Sequence, residues 1–182
     1  MVDIAIHKTS AVQSQSHVSL RRAKQVASTV LDPELPVLSL ADLGVLRDVT
    51  VVDGTVVVTI TPTYSGCPAM ATMRADLRVK LRAAGFEHVD VRTVLQPAWS
   101  TDWITPAGRQ KLSDHGISPP GPAPQQVAGP VALTLTMPAR LISCPQCGSG
   151  DTRETSAFGS TACKSLHQCR SCGEPFDHVK EI

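Results

Sequence analysis

Two short knuckles, Cys144-Pro145-Gln146-Cys147-Gly148 and Cys169-Arg170-Ser171-Cys172-Gly173, restrict this chain more than any other part of its sequence. A Cys-x-x-Cys pair turns two thiols to one side of a tight loop, and two such pairs can set four thiolates around one ion at tetrahedral geometry. The glycine after each pair relieves the turn. The 21 residues from Gly148 to Gln168 lie near the long end of zinc-ribbon spacing. A tail of about 50 residues buries too little to hold itself together, so a metal supplies what the core lacks. Cys144, Cys147, Cys169 and Cys172 therefore read as ligands of one structural zinc, with an iron-sulfur cluster as the alternative. Cys163 is spare, either a buried packing residue or a second reactive thiol. His167 and His178, near the second knuckle, could substitute as ligands, but with four cysteines present they read as surface histidines.

Six cysteines are better explained as ligands or reactive thiols than as a disulfide framework if the compartment is reducing, and the N-terminus points that way. Met1 to His17 is polar, rich in Ser, Gln and Thr, and lacks a charged-then-apolar signal pattern. Apolar runs are too short to span a bilayer, so a cytoplasmic protein without a membrane partner is expected. A net charge of +1, with no basic run or aromatic platform, argues against nucleic acid. At 182 residues the chain has room for one main domain plus an appendage, and with aromatics at 3% the core must be built from Val, Leu, Ile and Ala.

A lone thiol, Cys67, stands where a β-rich run ends and a helix begins, within Thr61-Pro62-Thr63-Tyr64-Ser65-Gly66-Cys67-Pro68-Ala69-Met70. Pro68 suits the first helical turn, which places Cys67 near the N-cap. There the free N–H groups and the helix dipole favour a thiolate, the form that binds metal or attacks an electrophile. Gly66 permits close approach or an unusual backbone angle. Position alone leaves open whether Cys67 works in this way or packs as a small buried hydrophobe.

Around that junction the chain alternates helix and strand. Leu20, Ala23, Val26, Ala27 and Val30 share one helical face, with Ser16 or Ser19 able to cap and Asp32-Pro33 expected to end the helix. Asp32 to Leu46 is a loop with two prolines and three carboxylates, either functional or capping its own turns. Asp53-Gly54 between alternating valines predicts a hairpin over 49–60. Met70, Met73, Leu77, Leu81 and Ala84 trace a core-facing helical stripe closed by Gly85. Val89 to Leu95 makes a third strand, and Pro106 to His115 a short helix ended by Gly116. Trp99 and Trp103 either staple that helix to the sheet or form a partner patch, and stapling is favoured.

This order gives an α+β fold, a small sheet with helices on one face, followed by a small β-rich zinc ribbon. Its segments are a flexible leader at 1–17, the α+β domain at 18–117, a proline-rich linker at 118–130 and the ribbon at 131–182, which opens with a strand candidate, Val131 to Leu135.

Asp32-Pro33-Glu34-Leu35-Pro36, Asp42-Leu43-Gly44 and the Thr61 to Met70 segment together resemble the MIP18-like (DUF59) domain of iron-sulfur assembly proteins, which has a small mixed sheet. Further motifs, including Pro97-Ala98-Trp99-Ser100-Thr101-Asp102-Trp103-Ile104 and Phe158-Gly159-Ser160-Thr161-Ala162-Cys163-Lys164, are similar to the D-protein family of bacterial phenylacetate degradation, associated with phenylacetyl-CoA epoxidase. The resemblance implies a factor that matures metal centres of the epoxidase system, either an iron-sulfur cluster or a di-iron site. It makes Cys67 the reactive or metal-handling cysteine, transiently holding iron or a cluster, with Asp42 and Glu34 beside it. It implies other epoxidase components as partners and allows a homodimer. The competing expectation is a non-catalytic structural or electron-transfer-related subunit of the epoxidase complex. With no Glu-x-x-His pair, nucleotide loop or plant-type ferredoxin run in the sequence, no activity of the chain alone is expected.

Overall fold

The computed structural model describes residues 17–64, 66–124 and 142–182. The leader up to residue 16 with its candidate cap Ser16, the linker beyond residue 124 and the strand candidate Val131 to Leu135 lie outside the described residues. The chain divides into two compact units, with the boundary between Trp99 and Ser100.

In the first unit, α1 (residues 17–27) buries Ala23 and Ala27 one turn apart, and Val30 follows them into the core. Ser19 lies within this helix rather than capping it. The helix also ends before the expected Asp32-Pro33. Ser28 Oγ donates to the Gln25 carbonyl and Thr29 Oγ1 to that of Val26, each at 2.8 Å, so hydroxyls occupy the last-turn acceptors before the proline can act.

Strands β1 (Leu46–Val52) and β2 (Thr55–Ile60) pair antiparallel, and β3 (Val89–Thr93) runs parallel to β2, giving the order β1-β2-β3. Asp53 and Gly54 both take positive φ, 47° and 77°, as a two-residue type I′ turn requires. Period-2 alternation buries Val56, Val58 and Ile60 on one face of β2.

Helix α2 (Met70–Ala83) makes the crossover between β2 and β3 and buries Met73, Leu77 and Leu81. Each such side chain contributes about 1.5–3 kcal/mol by burial. The helix closes as expected: Gly85 sits at φ 91°, its N–H bonds the Arg82 carbonyl, and the Phe86 N–H bonds that of Leu81, the Schellman pattern. Its start differs from expectation. Ala69 is the N-cap and Pro68 precedes it, in a turn in which the Met70 N–H faces the Cys67 carbonyl at 3.5 Å. Proline's fixed φ suits the second residue of such a turn as well as a helical first turn.

The second unit opens with a 3-10 turn (Thr101–Trp103) and α3 (Pro106–Asp114), capped by Thr105 Oγ1 accepting the Gly108 N–H at 3.0 Å and ended by Gly116 at φ 72°. A four-stranded sheet follows: β4 (Ile117–Ser118), β5 (Thr152–Ser156), β6 (Lys164–Cys169) and β7 (Pro175–Val179), in the order β4-β7-β6-β5. Strand β4 pairs parallel to β7; the other pairs are antiparallel.

His167 and His178 are not the surface residues that their sequence context suggests: each is 3% exposed. Strand alternation turns Ser165, His167 and Cys169 of β6, with Phe176 and His178 of β7, into the covered face. His167 stacks on Phe176 at 5.7 Å between centroids, meets His178 edge-on at 5.5 Å, and shares a 2.9 Å hydrogen bond with Ser165.

Candidate metal centre and thiol loop

The two knuckles fold as copies of one another. In the first, the Gly148 N–H bonds the Cys144 carbonyl and the Cys144 N–H bonds that of Ser149; in the second, Gly173 bonds Cys169 and Cys169 bonds Glu174. Gly148 and Gly173 take φ of 74° and 81°, so a side chain at either would strain the turn. A 2.8 Å contact between Ser149 Oγ and Ser171 Oγ links the copies.

This repetition brings Sγ of Cys144, Cys147, Cys169 and Cys172 within 4.8 Å of one another. Cys144 and Cys172 sulfurs are 3.8 Å apart, and those of Cys147 and Cys169 3.6 Å. A tetrahedral ion with metal–sulfur bonds of about 2.3 Å demands edges of about 3.8 Å, so this donor set fits one ion. A disulfide, at about 2.05 Å, is far shorter, and none of the six cysteines is in one. A multi-iron cluster interposes several irons and sulfides between its ligands and needs a wider opening.

The environment drives the thiols of Cys169 and Cys172 in opposite directions. The Cys172 backbone N–H draws the Cys169 thiol down to about 7, against its burial. At Cys172 the Glu174 N–H favours the thiolate, yet desolvation and the sulfurs of Cys147, Cys169 and Cys144 outweigh it and push the thiol up to about 12. A divalent cation held by these four sulfurs would reverse that repulsion. Cys144 and Cys169, each 1% exposed, pack with Phe176 and Ile142, while Cys147 and Cys172 face solvent. Cys163 is buried outside this group, its sulfur 3.1 Å from Thr161 Oγ1.

In the first unit, Cys67 is half-buried two residues ahead of the α2 N-cap, its N–H bonded to the Tyr64 carbonyl at 3.2 Å. Among the described residues, a Cβ at Gly66 would meet the Tyr64 ring at 3.6 Å, an ordinary contact. At the head of the same segment, Thr61 is 1% exposed, and its Oγ1 has no hydrogen-bond partner among the described residues. No sequence signal singles out that hydroxyl, since a threonine ending a β-rich run is ordinary strand composition.

The loop carboxylates organise backbone. Asp32 Oδ1 accepts the N–H groups of Glu34 and Leu35, both at 2.7 Å. Asp42 Oδ2 accepts from Ser39 N at 3.1 Å and Ser39 Oγ at 2.7 Å, and its own N–H returns to Ser39 Oγ at 3.0 Å. Among the described residues, Cys67, Glu34 and Asp42 do not form a group of the kind the four knuckle cysteines make.

The thiol loop and the knuckles each fall within a segment that matches a known family. Residues 22–94 match a family model described as an iron-sulfur cluster assembly protein, and residues 128–180 one described as the PaaD zinc beta ribbon domain. A protein of Escherichia coli (strain K12), designated a component of 1,2-phenylacetyl-CoA epoxidase, is 45% identical over 155 residues, covering 85% of this chain and 88% of that one. The chain belongs to the PaaD family. A Porphyromonas gingivalis Fe-S protein maturation auxiliary factor is 38% identical over 79 residues, 42% of this PaaD-family chain and 74% of the relative. The crystal structure of a DUF59 domain from Bacillus anthracis shares the fold, at TM-score 0.51 and 24% identity over 55% of this chain and 96% of that one. No helix among the described residues is long and apolar enough to cross a membrane.

Proposed function

We propose that this PaaD-family chain is a maturation factor for metal centres of the phenylacetyl-CoA epoxidase system in aerobic phenylacetate catabolism, acting in the cytoplasm on the oxygenase or reductase components. The observation that carries this reading is the junction, in one polypeptide, of an iron-sulfur assembly segment at 22–94 with a PaaD ribbon at 128–180. In this account Cys67 holds iron or a cluster in transit, with Asp42 and Glu34 at hand, and a zinc ion on Cys144, Cys147, Cys169 and Cys172 is structural. The fit of the sulfur spacings to zinc–thiolate bonds supports that zinc. The buried Thr61 hydroxyl, which has no hydrogen-bond partner among the described residues, is in keeping with a ligand at the thiol loop, because a buried hydroxyl without a partner costs about 1–3 kcal/mol.

The designation of the Escherichia coli relative as part of the epoxidase favours a second reading, a non-catalytic structural or electron-transfer-related component of the epoxidase complex. Producing the epoxidase components with and without this chain separates the two. A maturation factor leaves an assembled but metal-poor epoxidase or reductase when it is withheld. A structural component leaves an incomplete complex whose remaining members are fully metallated, and that result overturns the first reading.

A further inference from the structure

Helix α2 begins just after the thiol loop and buries Met73, Leu77 and Leu81 along one side. Three arginines, Arg74, Arg78 and Arg82, follow one another at four-residue intervals along its flank. At 1.5 Å per residue the row is about 12 Å long. Beside the row, on the side away from the core, the helix presents Ala71, Ala75 and Val79 to solvent, the last 65% exposed.

Nothing among the described residues answers these charges: none of the three guanidinium groups takes part in an ion pair or a hydrogen bond there. The one carboxylate of the helix, Asp76, stands two positions from Arg74 and from Arg78, and side chains two apart do not face each other. Lys80, by contrast, uses its ammonium within the fold, donating to the Thr29 carbonyl at 2.8 Å. Like charges four residues apart repel, so the row weakens α2 instead of supporting it. Arg74 carries a further cost. It is half-buried, and its Nε is cut off from solvent without a hydrogen-bond partner among the described residues. A guanidinium is always charged, so that N–H is relieved when the side chain turns out to an anionic acceptor.

We propose that this face of α2 docks an acidic helical segment of a partner protein. Carboxylates at four-residue spacing meet the arginine row, where the guanidinium fork takes them bidentately. Small or apolar side chains lie against Ala71, Ala75 and Val79, which let two helix backbones approach closely. Nucleic acid would leave that apolar strip uncovered, and a membrane surface calls for larger apolar side chains than these. The identity of the partner, a component of the epoxidase, rests on the maturation reading. Docking there sets the partner next to the loop that carries Cys67, seven residues before Arg74.

The test titrates the full-length protein, zinc-loaded, into the purified and already metallated oxygenase and reductase components, by calorimetry at low and high salt. One component binds, more weakly as salt rises. Arg78→Glu with Arg82→Glu weakens binding at least about tenfold, since reversed charges face the partner's carboxylates. Arg21→Glu with Arg22→Glu, at exposed positions of α1 and with the same change in net charge, keeps it. Arg82→Glu alone, at an exposed side chain, decides the matter if the α2 pair does not fold. Binding equal to wild type in the α2 variants, an equal loss in the α1 pair, or no binding by either component overturns the proposal. So does tighter binding to anionic phospholipid vesicles or to duplex DNA than to the components. Cys67→Ser should dock as wild type does, so loss of docking and loss of metal delivery are read on different variants, and failure of docking leaves the maturation reading to the metal content of the clients.

Discussion

The indole Nε1 of Trp99 donates to the Leu43 carbonyl oxygen at 2.9 Å, across 56 residues of sequence, with Trp99 only 5% exposed. The bond of Trp99 thus goes to a different partner from the short helix expected of it: it fixes the Asp42-Leu43-Gly44 turn of the first unit, whose Asp42 side chain is itself bonded to Ser39. Trp99→Phe keeps most of the apolar packing and leaves that buried carbonyl without its donor, a loss of about 1–3 kcal/mol. In thermal denaturation the first unit should melt several degrees lower; an unchanged melting curve would show that the hydrogen bond does not stabilise the turn.

The helix behind the thiol loop gives a second prediction. Leu77 is fully buried at the middle of α2. Leu77→Ala should lower the stability of the first unit by about 2–5 kcal/mol, the range for a cavity left in a core. Val79→Ala on the same helix, at a side chain 65% exposed, should change it by less than about 0.5 kcal/mol. Denaturant titration of both variants measures the difference.

Gly159 is required by close approach. A Cβ there would lie 3.1 Å from Asp177 Oδ1 and 3.2 Å from Lys164 Cβ, against an ion pair between those two residues at 3.0 Å. The Lys164 side chain is 7% exposed, so the pair has little room to yield. Gly159→Ala should destabilise the second unit by about 1–3 kcal/mol, as overpacking does, whereas Gly150→Ala, where nothing lies within 4 Å, should not. Hydrogen exchange of β6 and β7 amides in the two variants checks this.

Removing one knuckle thiol tests the ribbon zinc. Structural zinc contributes on the order of 10 kcal/mol to isolated fingers, so Cys169→Ala should lose the metal and unfold β5 to β7 while the first unit keeps its melting temperature. Cys163→Ala, at a sulfur outside the group of four, should retain one zinc. Stoichiometric zinc and protected β6 amides in Cys169→Ala would contradict the assignment.

What can be read from sequence depends on how locally each feature is determined. The Asp53-Gly54 hairpin, the α2 stripe with its Gly85 end and the knuckle turns rest on residues within one or two turns of each other, and these match the structure. The end of α1 does not follow, because hydroxyls of Ser28 and Thr29 satisfy the last carbonyls ahead of the proline. The burial of His167 and His178 escapes a sequence reading because it depends on β6 and β7 lying against each other and on β4 joining from 60 residues away, through Ser118. A two-residue strand such as β4 has no periodicity to detect. At the thiol loop, Cys67 and the acidic loop stand out in the sequence, which leaves a functional and a turn-capping reading of the carboxylates open, and the hydrogen bonds of Asp32 and Asp42 are of the turn-capping kind.

The central claim is that Cys67 handles metal for the epoxidase system, and the most direct measurement is metal content of its clients. Cells lacking this protein are supplied with wild type or Cys67→Ser, grown on phenylacetate, and the epoxidase and its reductase are purified without air for iron and sulfide analysis. Cys67→Ser should accumulate as a folded protein with its ribbon zinc, because the four knuckle thiols lie elsewhere in the chain, yet leave the clients iron-poor and growth impaired. Full iron loading and normal growth with Cys67→Ser would contradict the account and reduce Cys67 to a packing residue.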